Sequence, residues 1–265
     1  MSEVDRYPHG TFCWVELGTP DVDRAKAFYS GLLGWTIEEV TSSDAGTYFI
    51  GRLDGKDVAG LHDHSEGGAH GWDSHIAVDD LEAVLRRVGD LGGDPREDPH
   101  DIPGSGRVAA ITDLGGADVL LWQDAGFPGA RLVNETGTWS WSDLNSRDPD
   151  AARDFYTELF GWQFRQLAPT YWGIGMGPYR VGGMRSMEED PPETPPSWMP
   201  YFVVEDLDAA EGGVARLGGR VVVPPMTVPG GRFLVASDPH GAVLGLLEMG
   251  PEGPAGGVDR VNPTS

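Results

Sequence analysis

Hydrophobic positions follow a spacing of two over some stretches of the chain and a helical spacing over others, which predicts a succession of strands and helices. A first strand is predicted at residues 12–17. Asp21 is then expected to cap the N-terminus of a helix, and Gly34 to end that helix in the left-handed conformation. The apolar face of the helix is formed by Val22, Ala25, Phe28, Tyr29 and Leu32. The next strands are predicted at residues 35–40, 47–53 and 57–61.

A second unit of the same kind follows directly. Its first strand is predicted at residues 72–78, and the pair Asp79-Asp80 is expected to open a helix that ends at Gly92-Gly93. The apolar face of this helix is formed by Leu81, Val84, Leu85, Val88 and Leu91. Strands at residues 107–112 and 117–122 complete the unit. We interpret the first half of the chain as two β-α-β-β-β units that resemble each other only weakly, with two of the three strands after the second helix located by the pattern.

The whole pattern occurs twice. Residues 10–35 align with residues 137–162 at a constant offset of 127, and twelve of the 26 aligned positions are identical. A period close to half of the chain indicates a duplicated domain rather than a short-repeat solenoid. In the second copy, Asp148 is the expected helix cap, and Pro149 occupies the first helical position, where its missing N–H is not needed.

These elements divide the chain of 265 residues into two domains, a length that suits two ordinary domains. With 39% hydrophobic and 23% charged residues, each half can form a packed core. The predicted division is a first domain at residues 8–125, a linker at 126–136, a second domain at 137–250 and a flexible tail at 251–265.

Charge and composition exclude several classes of partner. The formal net charge of −23 repels phosphate backbones and anionic bilayers, so we expect no nucleic acid and no membrane partner. No apolar run approaches the roughly 18 residues of a membrane span. The single cysteine, Cys13, cannot form an internal disulfide, and the first ten residues lack the basic and apolar regions of a signal peptide. These features predict a cytoplasmic protein.

Three short motifs point to a known family. The stretches at residues 21–35 and 148–162 both read D-x-D-x-A-x-x-F-Y-x-x-L-x-G-W; those at 78–83 and 204–209 read V-[DE]-D-L-[DE]-A; and D-P-H-G occurs at 238–241. With the duplication, they resemble the vicinal oxygen chelate superfamily of glyoxalase I, extradiol dioxygenases, and fosfomycin and bleomycin resistance proteins. The likeness extends to a tandem, two-domain subgroup that includes mycobacterial glyoxalase- or hydroxylase-type proteins.

The resemblance implies an α+β fold with two tandem glyoxalase/bleomycin-resistance-like domains. Each domain would consist of two βαβββ units that form a curled eight-stranded sheet around a cavity. The metal enzymes of the superfamily carry one ligand on the first and last strand of each unit. In this sequence the matching positions are Trp14, Gly60, Asp73, Leu120, Trp141, Gly183, Met199 and Gly245.

Only Asp73 among these eight residues can bind a metal through its side chain, and such sites usually need about three protein ligands. We therefore predict no metal and no cofactor. The glycines at three of the positions are expected to leave space that enlarges the pocket. A metal site rebuilt from His62, Asp63, His64, His70 and His75 is the alternative.

Strand alternation then gives the side chains expected to face each cavity. In the first domain these are Trp14, Glu16, His62, Asp73, His75, Leu120 and Trp122. In the second domain they are Trp141, Asp143, Arg185, Met199, Tyr201 and Leu247. Cys13 and Glu248 are expected to face away from the cavities, Cys13 as a small core residue and Glu248 as a surface carboxylate.

Aromatic walls with a few charged groups suit a planar or apolar small molecule, and Glu16 or Asp143 can pair with a cation. The sequence thus predicts a metal-free protein that binds and sequesters a small hydrophobic, aromatic or cationic ligand. One alternative is a glyoxalase-, lyase- or hydroxylase-like enzyme, with a rebuilt metal site or with acid/base catalysis by Glu16, Asp73 and His75. Another is a structural protein with vestigial pockets. The duplication is compatible with a monomer, and a homodimer is the alternative.

Overall fold

The computed structural model describes residues 3–43, 46–63, 70–96 and 98–250. Each half of the chain forms one curled mixed sheet with two helices, so the predicted α+β fold of two tandem domains is confirmed. The predicted tail at 251–265 and His64 lie outside the described residues.

The strands of the first domain are β1 (Phe12–Thr19), β2 (Thr36–Ser43), β3 (Gly46–Leu53), β4 (Lys56–Asp63), β5 (Gly71–Ala77), β6 (Asp94–Pro95), β7 (His100–Ile102), β8 (Gly106–Thr112) and β9 (Asp118–Asp124). Those of the second domain are β10 (Trp139–Ser146), β11 (Gln163–Ala168), β12 (Tyr171–Met176), β13 (Tyr179–Ser186), β14 (Ser197–Val203), β15 (Arg220–Val228), β16 (Gly231–Ser237) and β17 (Val243–Met249). The helices are α1 (Val22–Leu33), α2 (Leu81–Asp90), α3 (Pro149–Phe160) and α4 (Leu207–Arg216).

Both sheets have the same strand order. The first runs β2-β3-β4-β1-β5-β9-β8-β6, with β7 added beside β8, and the second runs β11-β12-β13-β10-β14-β17-β16-β15. In each sheet the first strands of the two units lie side by side and antiparallel, and each of them has the last strand of its own unit as a parallel neighbour on its other side. The centre of every sheet is therefore built from the strands that carry metal ligands in the superfamily.

An aspartate caps the N-terminus of each helix in the described chain. Asp21, Asp80, Asp148 and Asp206 each accept a hydrogen bond from the backbone N–H three residues later. This satisfies a backbone donor that has no partner within the helix and places negative charge at the positive end of the helix dipole. Gly34 has a φ of 78° at the end of α1, which confirms the predicted left-handed cap.

Two short strands of the first domain were not predicted from the sequence. All five residues of β6 and β7 are exposed, so this segment has no hydrophobic alternation. Its pairing depends on backbone hydrogen bonds to β8, which the side-chain pattern does not encode.

The two domains pack through aromatic side chains in a nearly symmetric way. The indole of Trp35 donates to the carbonyl of Gly137 at 2.6 Å, and the indole of Trp162 donates to the carbonyl of Gly10 at 2.8 Å. Both tryptophans are at most 3% exposed, so these bonds satisfy donors that water cannot reach. Trp162 of the second domain is thus hydrogen-bonded to the first domain, and Trp35 of the first domain is hydrogen-bonded to the second.

The D-P-H-G stretch takes part in the same contact between domains. Asp238 accepts hydrogen bonds from two backbone N–H groups of its own turn and from the hydroxyl of Tyr29 at 3.2 Å. In the mirror arrangement, Asp113 accepts from the hydroxyl of Tyr156 at 3.1 Å. The aspartate of each turn therefore fixes the turn and joins it to a helix of the other domain.

Candidate functional site

The candidate site of the first domain lies on the face of the sheet opposite helix α1, which we call the open face. Trp72 on β5 points toward α1, because its indole donates to the hydroxyl of Tyr29 at 3.1 Å. Alternation along the strand places Asp73 and His75 on the other face of the sheet from Trp72. In the cross-strand register, Glu16 is the direct neighbour of Asp73 and lies on the same face. The predicted residues that share this face are Trp14, Glu16, His62, Asp73, His75, Leu120 and Trp122.

A β-bulge at Cys13 separates the helix side from the open side of β1. The register shifts between Phe12 and Trp14, so Phe12 packs against aromatic rings of the second domain while Trp14 faces His75. Cys13 is fully buried, and burial raises the pKa of its thiol well above the ordinary value. A thiol that stays protonated is a poor nucleophile, which agrees with the predicted core role of Cys13.

Three side chains of the open face form a chain of hydrogen bonds. The indole of Trp14 donates to the hydroxyl of Tyr48 at 2.9 Å, and that hydroxyl donates to Glu16 Oε2 at 2.7 Å. Tyr48 was not among the predicted site residues. A signal was present, because the dipeptide Thr-Tyr occurs at corresponding places in the two copies, at 47–48 and 170–171.

The second domain repeats this arrangement with one difference. Tyr171 donates to Asp143 Oδ1 at 3.0 Å, as Tyr48 does to Glu16. The indole of Trp141, however, also donates directly to Asp143 Oδ1 at 2.8 Å, in addition to a 3.2 Å contact with the tyrosine hydroxyl. The shorter aspartate therefore receives both aromatic donors itself.

The glycines at the former ligand positions do not open space. A Cβ atom at Gly60 would lie 2.0 Å from the hydroxyl of Tyr48, and a Cβ atom at Gly183 would lie 2.1 Å from the hydroxyl of Tyr171. At Gly245 the Cβ atom would lie 2.0 Å from the ring of Tyr201. The expectation of a pocket enlarged by these glycines is wrong, because a tyrosine side chain fills the position beside each of them.

The residues present do not fit the metal of the superfamily. Seven of the eight matching positions carry side chains that cannot ligate a metal, and Tyr48 takes the space that a ligand at Gly60 would use. Within the described parts of the chain, no group of three or more His, Cys, Asp or Glu side chains is arranged to hold a metal ion. Of the alternative histidines, His62 stacks on the ring of Tyr48 with centroids 6.4 Å apart, and His70 is exposed.

Glu16 and His75 form the electrostatic centre of the first site. Oε1 of Glu16 and Nε2 of His75 lie 3.4 Å apart without forming a hydrogen bond. Burial raises the pKa of Glu16, but the charge and close approach of His75, the charge of His62 and the hydrogen bond from Tyr48 outweigh it and bring the pKa to about 2. Glu16 is therefore ionised at neutral pH.

Asp73 differs sharply from Glu16 across the same strand pair. Burial, and next the negative charge of Glu16, raise the pKa of Asp73 to about 6. Among the described residues, none donates a hydrogen bond to its carboxylate, whereas Glu16 receives one from Tyr48. Two carboxylates in one site thus have pKa values on opposite sides of their ordinary range, an arrangement more frequent at functional sites than elsewhere.

The apolar wall of the first site comes partly from the segment predicted as a linker. Phe127 packs edge-on against Trp14, with ring centroids 5.0 Å apart, and its carbonyl accepts a 2.8 Å hydrogen bond from the indole of Trp122. Trp122 in turn packs edge-on against His75 at 6.3 Å. No pattern in the sequence pointed to Phe127, since it lies in an irregular segment with no periodicity.

In the second domain the predicted residues also share one face, but their polar groups bond to one another. Arg185 donates to Asn145 Oδ1 at 2.6 Å and forms an ion pair with Asp190. Burial raises the pKa of Asp143, opposed by the hydrogen bonds from its aromatic neighbours. A small apolar cluster covers the rest of this face: Met199, Tyr201 and Val235 pack with Trp141, Val223 and Phe233, and Leu247 lies beside Phe233 on the next strand.

Glu248 has a structural task outside the cavity. Its Oε2 accepts a 2.8 Å hydrogen bond from the backbone N–H of Leu207, at the start of α4. Gln123 does the same for Leu81 at the start of α2, also at 2.8 Å. In both domains the side chain near the end of the last strand thus fastens a helix to the sheet.

Comparison with known proteins places this architecture in a family. The model of the Glyoxalase/Bleomycin resistance protein/Dioxygenase superfamily matches residues 11–121 and again residues 138–246. The provisionally named glyoxylase CFP32 of Mycobacterium tuberculosis (strain CDC 1551 / Oshkosh) is 37% identical over 262 residues, which cover 95% of this chain and 100% of that protein. The anthracycline biosynthesis protein DnrV of Streptomyces peucetius is 32% identical, with 93% of this chain and 96% of that protein covered.

Solved structures show the same fold at low sequence identity. The Mn(II)-bound glyoxalase from Novosphingobium aromaticivorans superposes with a TM-score of 0.64 at 18% identity, covering 94% of this chain and 83% of that one. The 2,2',3-trihydroxybiphenyl 1,2-dioxygenase from Sphingomonas wittichii strain RW1 superposes with a TM-score of 0.63 at 16% identity, covering 91% of each chain. The chain therefore belongs to the glyoxalase/bleomycin resistance protein/dioxygenase superfamily, with one domain of that family in each half.

Proposed function

We propose that this protein binds a small aromatic molecule on the open face of the first domain and does so without a metal ion. The observation that carries the proposal is the hydrogen-bonded chain from Trp14 through Tyr48 to Glu16. It puts a phenol beside Gly60, where the metal enzymes of the superfamily have a ligand. At the position that matches a metal-ligand position of those enzymes, the space beside Gly60 is thus filled by the tyrosine that binds the Glu16 carboxylate.

The surroundings of Glu16 suit an aromatic ligand. Trp14, Trp122 and Phe127 pack edge-on around the site, and such rings favour flat partners. Within this apolar surround, Glu16 and His75 approach each other to 3.4 Å. Binding sites for small molecules commonly combine an apolar wall with a few convergent polar groups.

The relatives support the same class of ligand. Two proteins named for anthracycline biosynthesis, DnrV and DauV, are each 32% identical to this chain over 93% of its length. Anthracyclines are polycyclic aromatic compounds, which edge-on tryptophan and phenylalanine rings accommodate well. We extend the proposal to ligands of this shape, sequestered as in the resistance proteins of the superfamily.

The test is a fluorescence titration of the full chain with an anthracycline, in the presence of excess EDTA, after purification without an immobilised-metal resin. We expect saturable quenching that is weakened by Trp14→Phe and not by the matched variant Trp141→Phe. Elemental analysis of the same sample should find no stoichiometric divalent ion. Binding that disappears with EDTA and returns with added metal would overturn the proposal.

A second candidate is favoured by one observation. Asp73, with its pKa raised to about 6, lies on the strand that also carries His75 and faces Glu16. A carboxyl group that exchanges its proton near neutral pH can act as a general acid or base. If the protein is a metal-independent enzyme, incubation with hydroxylated polycyclic aromatic compounds under EDTA will give a product by mass spectrometry, and Asp73→Asn will abolish it. Recovery of every compound unchanged would refute this candidate.

A further inference from the structure

We infer that the ligand is an aromatic amine cation, that it is held between Glu16 and Asp73, and that each chain binds one such molecule in its first domain and none in its second. This inference rests on the proposed function and adds the charge of the ligand, its anchoring groups and the stoichiometry.

The first argument is the unbalanced charge of the first site. Glu16 and Asp73 lie directly opposite each other on neighbouring antiparallel strands, an arrangement that is unfavourable for two like charges. Within the described residues, no lysine or arginine forms a salt bridge with either carboxylate, and the histidines whose charges favour ionised Glu16 are His75 and His62. A ligand cation placed between the two carboxylates would relieve their repulsion.

The second argument is a buried side chain, His75, whose only close polar contact among the described residues is the 3.4 Å ion pair with Glu16. His75 is only 4% exposed, yet neither of its ring nitrogens has a hydrogen-bond partner. Buried polar atoms without partners are rare in folded proteins, and a ligand is one explanation for them. Nε2 of His75 lies 3.4 Å from Oε1 of Glu16, so an ammonium group bound here can donate to the carboxylate and has the imidazole ring as its second neighbour.

The second domain serves as an internal comparison, because the same positions carry different residues. Met199 stands opposite Asp143, where Asp73 stands opposite Glu16. Tyr201 stands opposite Trp141, where His75 stands opposite Trp14. The second carboxylate is thus alone, and its partner strand contributes an apolar and an aromatic side chain that pack together.

The second carboxylate is also already satisfied. Asp143 accepts hydrogen bonds from the indole of Trp141 and the hydroxyl of Tyr171, and the charge of Arg185 acts on it favourably. Because these groups compensate one another inside the protein, an incoming cation would gain little and would meet a positive guanidinium. The second domain therefore lacks the uncompensated negative charge that would favour a cationic ligand.

The aromatic part of the ligand follows from the walls of the first site. Trp122 packs edge-on against His75 at 6.3 Å, and Phe127 packs edge-on against Trp122 at 6.1 Å, so a ring attached to an ammonium group beside His75 has these two rings near it. Aromatic faces attract cations as well as other rings. An aromatic amine combines a positive charge for the two carboxylates with a ring that packs against the aromatic walls.

The experiment is isothermal titration of the full chain with 2-(naphthalen-1-yl)ethylamine and with the neutral analogue 2-(naphthalen-1-yl)ethanol. We expect one amine per chain, and an alcohol affinity lower by at least about tenfold. Asp73→Asn and Glu16→Gln should each weaken the amine by about tenfold or more, whereas the matched variant Asp143→Asn should leave affinity and stoichiometry unchanged. Circular dichroism confirms that each variant is folded.

The outcomes separate this inference from the proposed function. Equal binding of alcohol and amine, two amines per chain, or loss of affinity in Asp143→Asn would each overturn the inference and leave an aromatic site in place. If neither naphthalene compound nor an anthracycline binds, the proposed function itself is refuted.

Discussion

The hydroxyl group of Tyr48 joins Trp14 to Glu16, and Tyr48→Phe removes both of its hydrogen bonds at once. A hydrogen bond to a charged group contributes about 1.5–3 kcal/mol, and a buried donor left without a partner costs about 1–3 kcal/mol. Trp14 is only 3% exposed, so water cannot readily replace the lost acceptor of its indole. We expect the free energy of unfolding to fall by about 3 kcal/mol.

Tyr171→Phe is the matched control in the second domain. The indole of Trp141 keeps its direct 2.8 Å bond to Asp143 in this variant, so no donor is orphaned and only the tyrosine–carboxylate bond is lost, at a cost of about 1.5 kcal/mol. Urea denaturation followed by circular dichroism measures both losses, from the transition midpoint at constant slope. Equal losses in the two variants, or a loss under about 1 kcal/mol for Tyr48→Phe, would refute the reasoning.

Two further predictions concern neighbours of the same chain of bonds. Gly60→Ala places a Cβ atom 2.0 Å from the Tyr48 hydroxyl, so it should lower the free energy of unfolding by about 2–4 kcal/mol. In a double-mutant cycle, this loss should be non-additive with that of Tyr48→Phe. As the control, Gly89→Ala in helix α2, where the new Cβ atom has nothing within 4 Å, should raise the free energy of unfolding by about 0.5–1 kcal/mol. The pKa of Asp73 is raised from 3.8 to about 6, so its folded form binds the proton more tightly and stability declines as pH rises from about 4 through about 6. Asp73→Asn should therefore be more stable to unfolding than the wild type by about 2 kcal/mol at neutral pH, after allowance for partial exposure, and no more stable below about pH 4. Urea denaturation across this pH range measures the difference. A difference that does not change with pH would contradict the raised pKa of Asp73.

Much of the fold was predictable because local chemistry encodes it. Asp21 and Asp148 cap helices through their own side chains, and Gly34 ends one through its own backbone, so each signal is read within a few residues. The duplication gave the domain count directly, since two similar stretches must fold alike. The failures fall where this local encoding is missing: β6 and β7 pair through backbone alone, in an exposed polar segment.

The candidate site was predictable only in part. Residues such as Glu16 and His75 were found because alternation along a strand fixes which face they occupy. Tyr48 lies on a different strand from Glu16, and its hydroxyl meets that carboxylate only when β3, β4 and β1 are aligned. The same alignment places the Tyr48 hydroxyl beside Gly60, so the space that the sequence suggested would be open is filled.

The sequence by itself determined the family, the two-domain organisation and the loss of the usual metal ligands, because each depends on residue types at fixed positions. Only the tertiary structure decided how the two copies differ. The second domain has Met199 where the first has Asp73, and Tyr201 where the first has His75. The effect of each difference depends on the side chain that lies opposite it on the neighbouring strand. Charge balance and hydrogen-bond satisfaction are properties of such neighbours in space, and chain order does not specify them.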